Sequence, residues 1–330
     1  MLKILAVLSF SLMFSSANAH DSICKIASDN IYAKLPLLFD GYASTLKNIE
    51  GVDYLYPSAF TLHKGKIYIL YISQPKHKSN LIVVYDKAGK YLGYDYIDNG
   101  GYGVAGEGLA IVDNYNDRKF FAVGSTNGSL HYYEFNDNPN GRHLKLFSRF
   151  NVGLFNQFAW NDNRWLIEDN RGSSSPSNPR NHLLLLDRNF KLIVKIKQQL
   201  QHSGFITTTA NMNALSYVKR QGVVLGNGFF ASSYGAFYEK GAPQTKNVYQ
   251  GYRVFNLEGD LLVDNVCKPV TMLESLTQMG FNVTRIENEG LYLNDINNTL
   301  YTLYVYNDRK HPSISKKEGI VILQNRVHFN

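Results

Sequence analysis

The chain has 330 residues, 44% of them hydrophobic, with only 18% charged and a formal net charge of +7. That is ample for a buried core in one large domain or two ordinary ones, and it excludes a disordered chain. Lys and Arg form no run or stripe of the kind that tracks a phosphate backbone, which argues against nucleic acid as a partner.

The first residues read Met-Leu-Lys, then an apolar stretch from Leu5 to Phe14, then Ala17-Asn18-Ala19. A short positive region, an apolar core and a small-x-small site make residues 1–19 a secretory signal peptide, cut between Ala19 and His20. The apolar core is too short for a comfortable membrane span, and no later stretch approaches one. The expected location is secreted or periplasmic. Export gives meaning to the two cysteines, Cys24 and Cys267, which are expected to form one disulfide; two buried thiols are the alternative. Residues 20–51 read as an N-terminal extension packed on a single domain over 52–330.

The abundant Tyr, Phe, Val and Ile lean towards β structure, and the β runs recur in a fixed order. "GEGLAIVDN" (106–114) leads to "RKFFAVGST", "LHYYEF" (130–135) and "LKLFSRF" (144–150). "ENEGLYLND" (287–295) leads to "NTLYTLYVYND", "GIVIL" (319–323) and "RVHF" (326–329). Three further stretches repeat the order, beginning at residues 57, 156 and 212. Their third and fourth runs are joined by Asp86-Lys87-Ala88-Gly89-Lys90, Asp187-Arg188-Asn189 and Asn256-Leu257-Glu258-Gly259-Asp260, the residue types that hairpin turns require. The prediction is an all-β, five-bladed β-propeller with four strands per blade. A β-sandwich or another multi-hairpin fold is the alternative. Because the last unit reads as holding all four strands, closure of the ring by an N-terminal strand is not required. Between blades 4 and 5, Met272, Leu273, Leu276 and Met279 sit at helical spacing, which predicts a short amphipathic helix with its Met residues in the core.

Anchoring on the first strand of each unit aligns Ser58, Glu107, Gln157, Asn213 and Glu289, all polar among apolar neighbours. First strands line a propeller's central channel, so these five are expected to form a polar ring and the binding site. Glu107 and Glu289 would repel across it, by about 2 kcal/mol at roughly 8 Å and an effective dielectric near 20. A water chain, Arg285 or a cation would relieve this. Ca²⁺ held by Glu107, Glu289, Asn213 and Gln157 is the metal reading. The bland reading is a polar, water-filled channel in which Gly108 and Gly290 allow tight packing near the axis. No cofactor motif and no catalytic triad motif is present. "GYGVAG" (101–106) precedes a strand, not the helix that a dinucleotide site needs, and reads as an inter-blade loop. Tyr102, Tyr234, Tyr238 and Tyr249 are loop candidates for stacking on sugars, with packing inside the loops as the alternative.

The Glu-Gly-Leu strands in "GEGLAIVD" and "NEGLYLND", with the blade order, resemble a group of extracellular propellers. The group includes the helveticin J-type bacteriocins and the propeller domains of phage receptor-binding and teichoic-acid-associated proteins. The resemblance covers roughly residues 52–330 and implies binding to a bacterial surface or its glycans; it supplies no catalytic residues. The signal peptide departs from the helveticin J-type pattern and weakens a bacteriocin reading. Together these observations point to a binding module rather than an enzyme, with a bacterial or host surface glycan, an anionic polymer or a protein as partner. The mild positive charge suits anionic polymers. The alternatives are a hydrolase on the same ring, either a Ca²⁺-dependent lactonase or esterase or a glycoside hydrolase, and a purely structural envelope module. A shortage of carboxylates at the matched level tilts against a glycosidase.

Overall fold

After a single 3-10 turn at Ser28–Asn30 comes a short strand, β1 (Ile31–Leu35). Val, Ile, Leu and Tyr then crowd a series of runs separated by Asp-, Asn- and Gly-bearing turns, and these runs build five antiparallel sheets. The computed structural model describes residues 26–36, 55–73, 79–98, 105–113, 118–125, 128–153, 155, 157–169, 182–198, 220–235, 237–241, 250–307 and 319–328.

Blade 1 comprises β2 (Leu55–His63), β3 (Lys66–Ser73), β4 (Ser79–Asp86) and β5 (Tyr91–Asp98). Blade 2 comprises β6 (Ala105–Asp113), β7 (Lys119–Ser125), β8 (Ser129–Glu134) and β9 (Leu146–Asn151). Blade 3 comprises β10 (Phe158–Asn161), β11 (Arg164–Glu168), β12 (His182–Asp187) and β13 (Leu192–Lys197). Blade 4 holds β14 (Arg220–Leu225) and β15 (Phe229–Tyr234), then, past the two-residue β16 (Tyr238–Glu239), β17 (Gln250–Asn256) and β18 (Leu261–Cys267). Blade 5 holds β19 (Arg285–Asn294), β20 (Thr299–Tyr306) and β21 (Gly319–Arg326), with β16 added beside β19. The innermost strands β2, β6, β10, β14 and β19 touch one another in turn and close a ring. The fold is the five-bladed, four-stranded propeller that the repeats predict.

Two features differ from the sequence pattern. Blade 5 takes its fourth strand from the other end of the chain: β1 pairs antiparallel with β21, Ala33 opposite Ile322 and Leu35 opposite Ile320. The run at 326–329 is no fourth strand; Arg326 ends β21. The 20–51 extension thus supplies a strand, and the ring is closed by pairing the two ends of the propeller. A cross-strand face cannot be read from a lone "RVHF", because pairing between distant segments leaves no local mark. The second difference is blade 4, whose innermost strand is Arg220–Leu225 and not the run that begins at residue 212.

The core lies between the blades. The central strands are packed on both faces, so Ile67, Ile69, Leu81 and Val83 are fully buried. Aromatic clusters fill the seams, such as Trp165 with Tyr132, Phe158 and Phe190 between blades 2 and 3. The predicted helix is present as α1 (Pro269–Gln278). Pro269 suits a first helical turn, where an N–H has no partner to lose. Met272, Leu273 and Leu276 are buried with Cys267, Phe281 and Tyr304, and Met279 packs against them. Ile26 joins the same cluster. Cys24 and the signal segment lie outside the described residues.

The three predicted turns form as hairpin loops closed by their first residue. Asp86 Oδ1 accepts from Lys90 N, Asp187 Oδ1 from Asn189 N and Lys191 N, and Asn256 Oδ1 from Glu258 N and Asp260 N, at 2.8–3.1 Å.

Candidate functional site

The five innermost strands enclose a central channel of about 290 Å³. Adjacent strands approach closely because small residues stand at their contacts. A Cβ on Gly108 would lie 2.5 Å from the Phe158 ring, and one on Gly222 would lie 2.6 Å from Leu291 N. Side chains of each strand then alternate between the two neighbouring seams: Leu109 and Ile111 pack on one side of β6, Ala110 and Val112 on the other. Small residues such as Ala59, Gly108, Ala110, Gly222 and Gly290 therefore form part of the channel wall.

The polar positions sit where the ladder is irregular. In β2 the register skips from Pro57 to Ala59, in β14 from Arg220 to Gly222 and in β19 from Asn288 to Gly290. The residues at these register shifts are Ser58, Gln221 and Glu289, each in a bulge of the kind that re-aims a side chain. In β6 the pairing resumes only at Leu109, past Glu107. In blade 3, Gln157 precedes β10 and its carbonyl accepts from Glu168 N at 3.0 Å. In blades 1, 4 and 5 the repeated unit is a bulged polar residue followed by a small one near the start of the innermost strand; in blade 3 the polar residue precedes the strand without a bulge.

Of the predicted ring, Gln157 is buried and lines the channel. Ser58 is buried and donates to Leu70 O at 3.4 Å, within its own blade. Glu289 is buried beside the channel-lining Gly290. Glu107 stands in β6, with its side chain outside the described residues, and Asn213 lies outside them altogether. The equivalent of Ser58 and Glu289 in blade 4 is Gln221, buried and lining the channel. Its triplet Gln221-Gly222-Val223 echoes the two Glu-Gly-Leu triplets, the signal that points to it.

Carboxylates near this end of the channel bind neighbouring blades together. Glu287 accepts from the Tyr56 hydroxyl of blade 1 at 2.7 Å and from Gln221 Nε2 of blade 4 at 3.5 Å. Gln221 Nε2 also donates to Gly235 O at 2.9 Å, while Gln221 Oε1 is buried without a hydrogen-bond partner. Glu168 of blade 3 accepts from Arg220 of blade 4 at 2.9 Å, and the same guanidinium donates to Gln198 at 2.9 Å. Both members of the Arg220–Glu168 pair are buried. Arg285 pairs with Glu239 at 2.8 Å. Among the described residues, no three His, Cys, Asp or Glu side chains are grouped to hold a metal ion.

The two faces of the ring differ. At the face where innermost strands begin, the described connection between blades 4 and 5 carries α1 over Pro269–Gln278. At the opposite face the connections are mostly tight, such as Lys64-Gly65, Asp162-Asn163 and Asn227-Gly228. The channel mouth there carries His63, Asp113, Lys119, Asp162 and Asp295. Lys119 pairs with Asp113 at 2.8 Å. His63 is held below the usual imidazole value by burial first, then by Lys119 and Lys64. Tyr292, also lining the channel, is pushed up to about 12 by burial. Of the candidate stacking tyrosines, Tyr234 is buried beneath Arg253, 5.4 Å from its ring, and Tyr238 packs beside α1. Tyr102 and Tyr249 lie outside the described residues. No described helix is long and apolar enough to cross a membrane.

No family model matches the chain, and no curated protein does. Solved structures do. The tail fibre of Staphylococcus aureus phage P68 is 10% identical with a TM-score of 0.51, over 89% of this chain and 51% of that one, so the chain spans about half the fibre's length. The catalytic domain of the Coprinopsis cinerea GH62 α-L-arabinofuranosidase is 9% identical with a TM-score of 0.51, over 89% of this chain and 97% of that one. The Podospora anserina α-L-arabinofuranosidase, in complex with cellotriose, is 7% identical with a TM-score of 0.50, over 90% and 97%. At such identities the likeness is one of fold: this chain shares the five-bladed propeller of a phage tail fibre and of arabinofuranosidases.

Proposed function

We propose that the protein is an exported binding propeller that recognises a surface glycan, held at the end of the channel where the innermost strands begin. The observation that carries this is Gln221. It lines the channel, fixed through its Nε2 to Gly235 and Glu287, and its Oε1 lacks a hydrogen-bond partner. A buried acceptor left open costs about 1–3 kcal/mol, and a donor such as a sugar hydroxyl removes that cost. The described carboxylates next to it, Glu287 and Glu168, are engaged with Tyr56 and Arg220, which favours a binding role over acid/base chemistry. The Podospora enzyme's complex with cellotriose supports the choice of ligand class. The net charge of +7 favours anionic polymers among the surface glycans.

Export through residues 1–19 and a Cys24–Cys267 disulfide belong to the same reading. Ile26, two residues after Cys24 in the sequence, packs in the cluster that contains Cys267, which supports the pairing.

Calorimetric titration of the exported chain with cellotriose and with lipoteichoic acid tests the proposal. Saturable binding of either, weakened at least tenfold by Gln221→Ala, is the expected result. Turnover of 4-nitrophenyl α-L-arabinofuranoside that Glu289→Gln abolishes would overturn it in favour of a glycosidase.

A further inference from the structure

Three blades share one hairpin turn between their third and fourth strands. In blade 1 its fourth residue is Gly89, at φ +85°, and in blade 4 it is Gly259, at φ +94°. A Cβ on either would strike a backbone carbonyl in the outer strand of the preceding blade: Lys34 for Gly89, Lys197 for Gly259. Glycine lets these turns press against the neighbouring edge.

Blade 3 breaks the pattern. Its turn has the same hydrogen bonds, Phe190 N to Asp187 O at 3.0 Å and Asp187 N to Lys191 O at 2.9 Å. Yet Phe190 stands in the glycine position at φ +63°. A bulky residue there is strained and persists only when its surroundings hold it. The ring is held between Trp165, at 5.5 Å, and Phe150, at 4.9 Å. Beside it, between blades 2 and 3, opens a cavity of 240 Å³ lined by Val152, Leu184, Leu186, Phe190 and Leu192.

The cavity borders β13, the edge strand of its sheet. Leu192, Ile193 and Val194 are 55%, 53% and 40% exposed there. An edge strand presents unpaired N–H and C=O groups, ready to pair with another extended chain; the blade 4 turn meets β13 at Lys197 O, so among the described residues the open stretch is Leu192–Lys195. Register fixes which side chains accompany the cavity: Leu192 lies opposite Leu186 and Lys195 opposite Leu184, so both share the cavity's face. Lys191, just before the strand, and Lys195 and Lys197 within it are exposed, Lys195 also pairing with Asp169 at 3.1 Å. They also decide the occupant. Two copies pairing antiparallel about Val194 would set Lys191 against Lys197, and like charges opposite one another are unfavourable. An acidic strand meets no such penalty.

We propose that this seam, on the circumference and away from the channel, docks an extended segment of a protein partner. The segment pairs with β13, sets an aromatic or aliphatic side chain into the cavity, and carries acidic residues towards the lysines.

The test uses the full chain and a fluorescent peptide alternating Glu with Val around a central Phe, beside its Lys-for-Glu counterpart. The Glu peptide is expected to bind saturably by anisotropy. Lys191→Glu/Lys197→Glu is expected to weaken it at least tenfold and to admit the Lys peptide. Leu192→Ser, at an exposed cavity residue, is expected to weaken it about fivefold while circular dichroism stays unchanged. Absence of Glu-peptide binding, or binding that neither variant alters, would overturn the proposal. So would concentration-dependent self-association that Leu192→Ser abolishes, since the occupant would then be a second copy.

Discussion

Blades 1 and 3 each end in an outer strand with one side of its backbone unpaired by its own sheet. On blade 1 that side is covered. The 135–145 connection of blade 2 folds over β5, with Tyr96 N donating to Arg142 O at 2.8 Å, Leu144 N to Tyr96 O at 2.9 Å and Gly141 N to Tyr94 O at 2.7 Å. Asp95, buried, anchors it by accepting from Asn140 N, Arg142 N and Asn136 Nδ2 at 3.1, 3.2 and 2.7 Å. His143 stacks on Tyr96 at 4.7 Å. On blade 3, β13 shows three apolar residues and two lysines to solvent, with Lys191 exposed just before it. Proteins manage edges because bare ones aggregate. Among the described residues, one edge is shielded along its length, while its equivalent is met only by the blade 4 turn at Lys197, and the two edges have different uses.

Stripping the cover should have the largest effect. Asp95→Ala removes three hydrogen bonds to one buried carboxylate and is expected to cost about 3 kcal/mol in urea unfolding. Ile193→Thr on the bare edge is expected to stay within about 0.5 kcal/mol. If both cost the same, the two edges are alike after all.

The turns give a smaller contrast. Gly89→Val forces a branched side chain into positive φ and into Lys34 O, at roughly 2–3 kcal/mol. Phe190→Gly loses a half-buried ring but relieves roughly 1 kcal/mol of strain, so the net change should be near 1 kcal/mol by thermal unfolding. A larger loss would mean that the ring is chiefly a core residue.

The smallest contrast is with pH. His182, opposite Lys197 in the ladder, is held below the usual 6.5 by burial first, then by Lys195 and Lys197. His63 and His131 are also lowered, mainly by burial. Below 6.5 the unfolded chain takes protons that the folded chain refuses, so this stability is complete above 6.5 and is lost as pH falls towards the folded values. Asp137, in the connection that covers β5, is held below 3.8 chiefly by the Tyr68 hydroxyl, which donates to it at 2.6 Å, with help from Lys66 at 3.0 Å. Its contribution persists above 3.8 and is lost below. Hydrogen exchange should therefore loosen β12, which carries His182, as pH falls below 6.5, while the cover of β5 stays protected until pH falls below 3.8. Simultaneous loss would break the contrast.

Much of this was written locally. Turn residues such as Asp86 and Asn256 bond to their own loops, so the hairpins follow from a few neighbouring residues. The Glu-Gly-Leu triplets place the innermost strands of blades 2 and 5 because small residues are needed where strands crowd an axis. Blade 4 misled because alternation alone admits the run from residue 212, whereas Gln221-Gly222-Val223 carries the same triplet. A bulge breaks alternation, so the polar character at Ser58, Gln221 and Glu289 is legible but the direction of each side chain is not. Nothing in "DRNFK" marks Phe190 as the occupant of a glycine position; that depends on rings from two other strands.

The pairing of β1 with β21 also orders events in time. Ile31 is made early, and its partner Leu323 almost three hundred residues later. Until then blade 5 is incomplete and the ring stands open. Such distant pairing is slow, and the unpaired strands are open to wrong partners while it waits. The final assembly step thus belongs to the first described strand, and a helper that shelters β1 during synthesis would govern yield without altering the finished molecule.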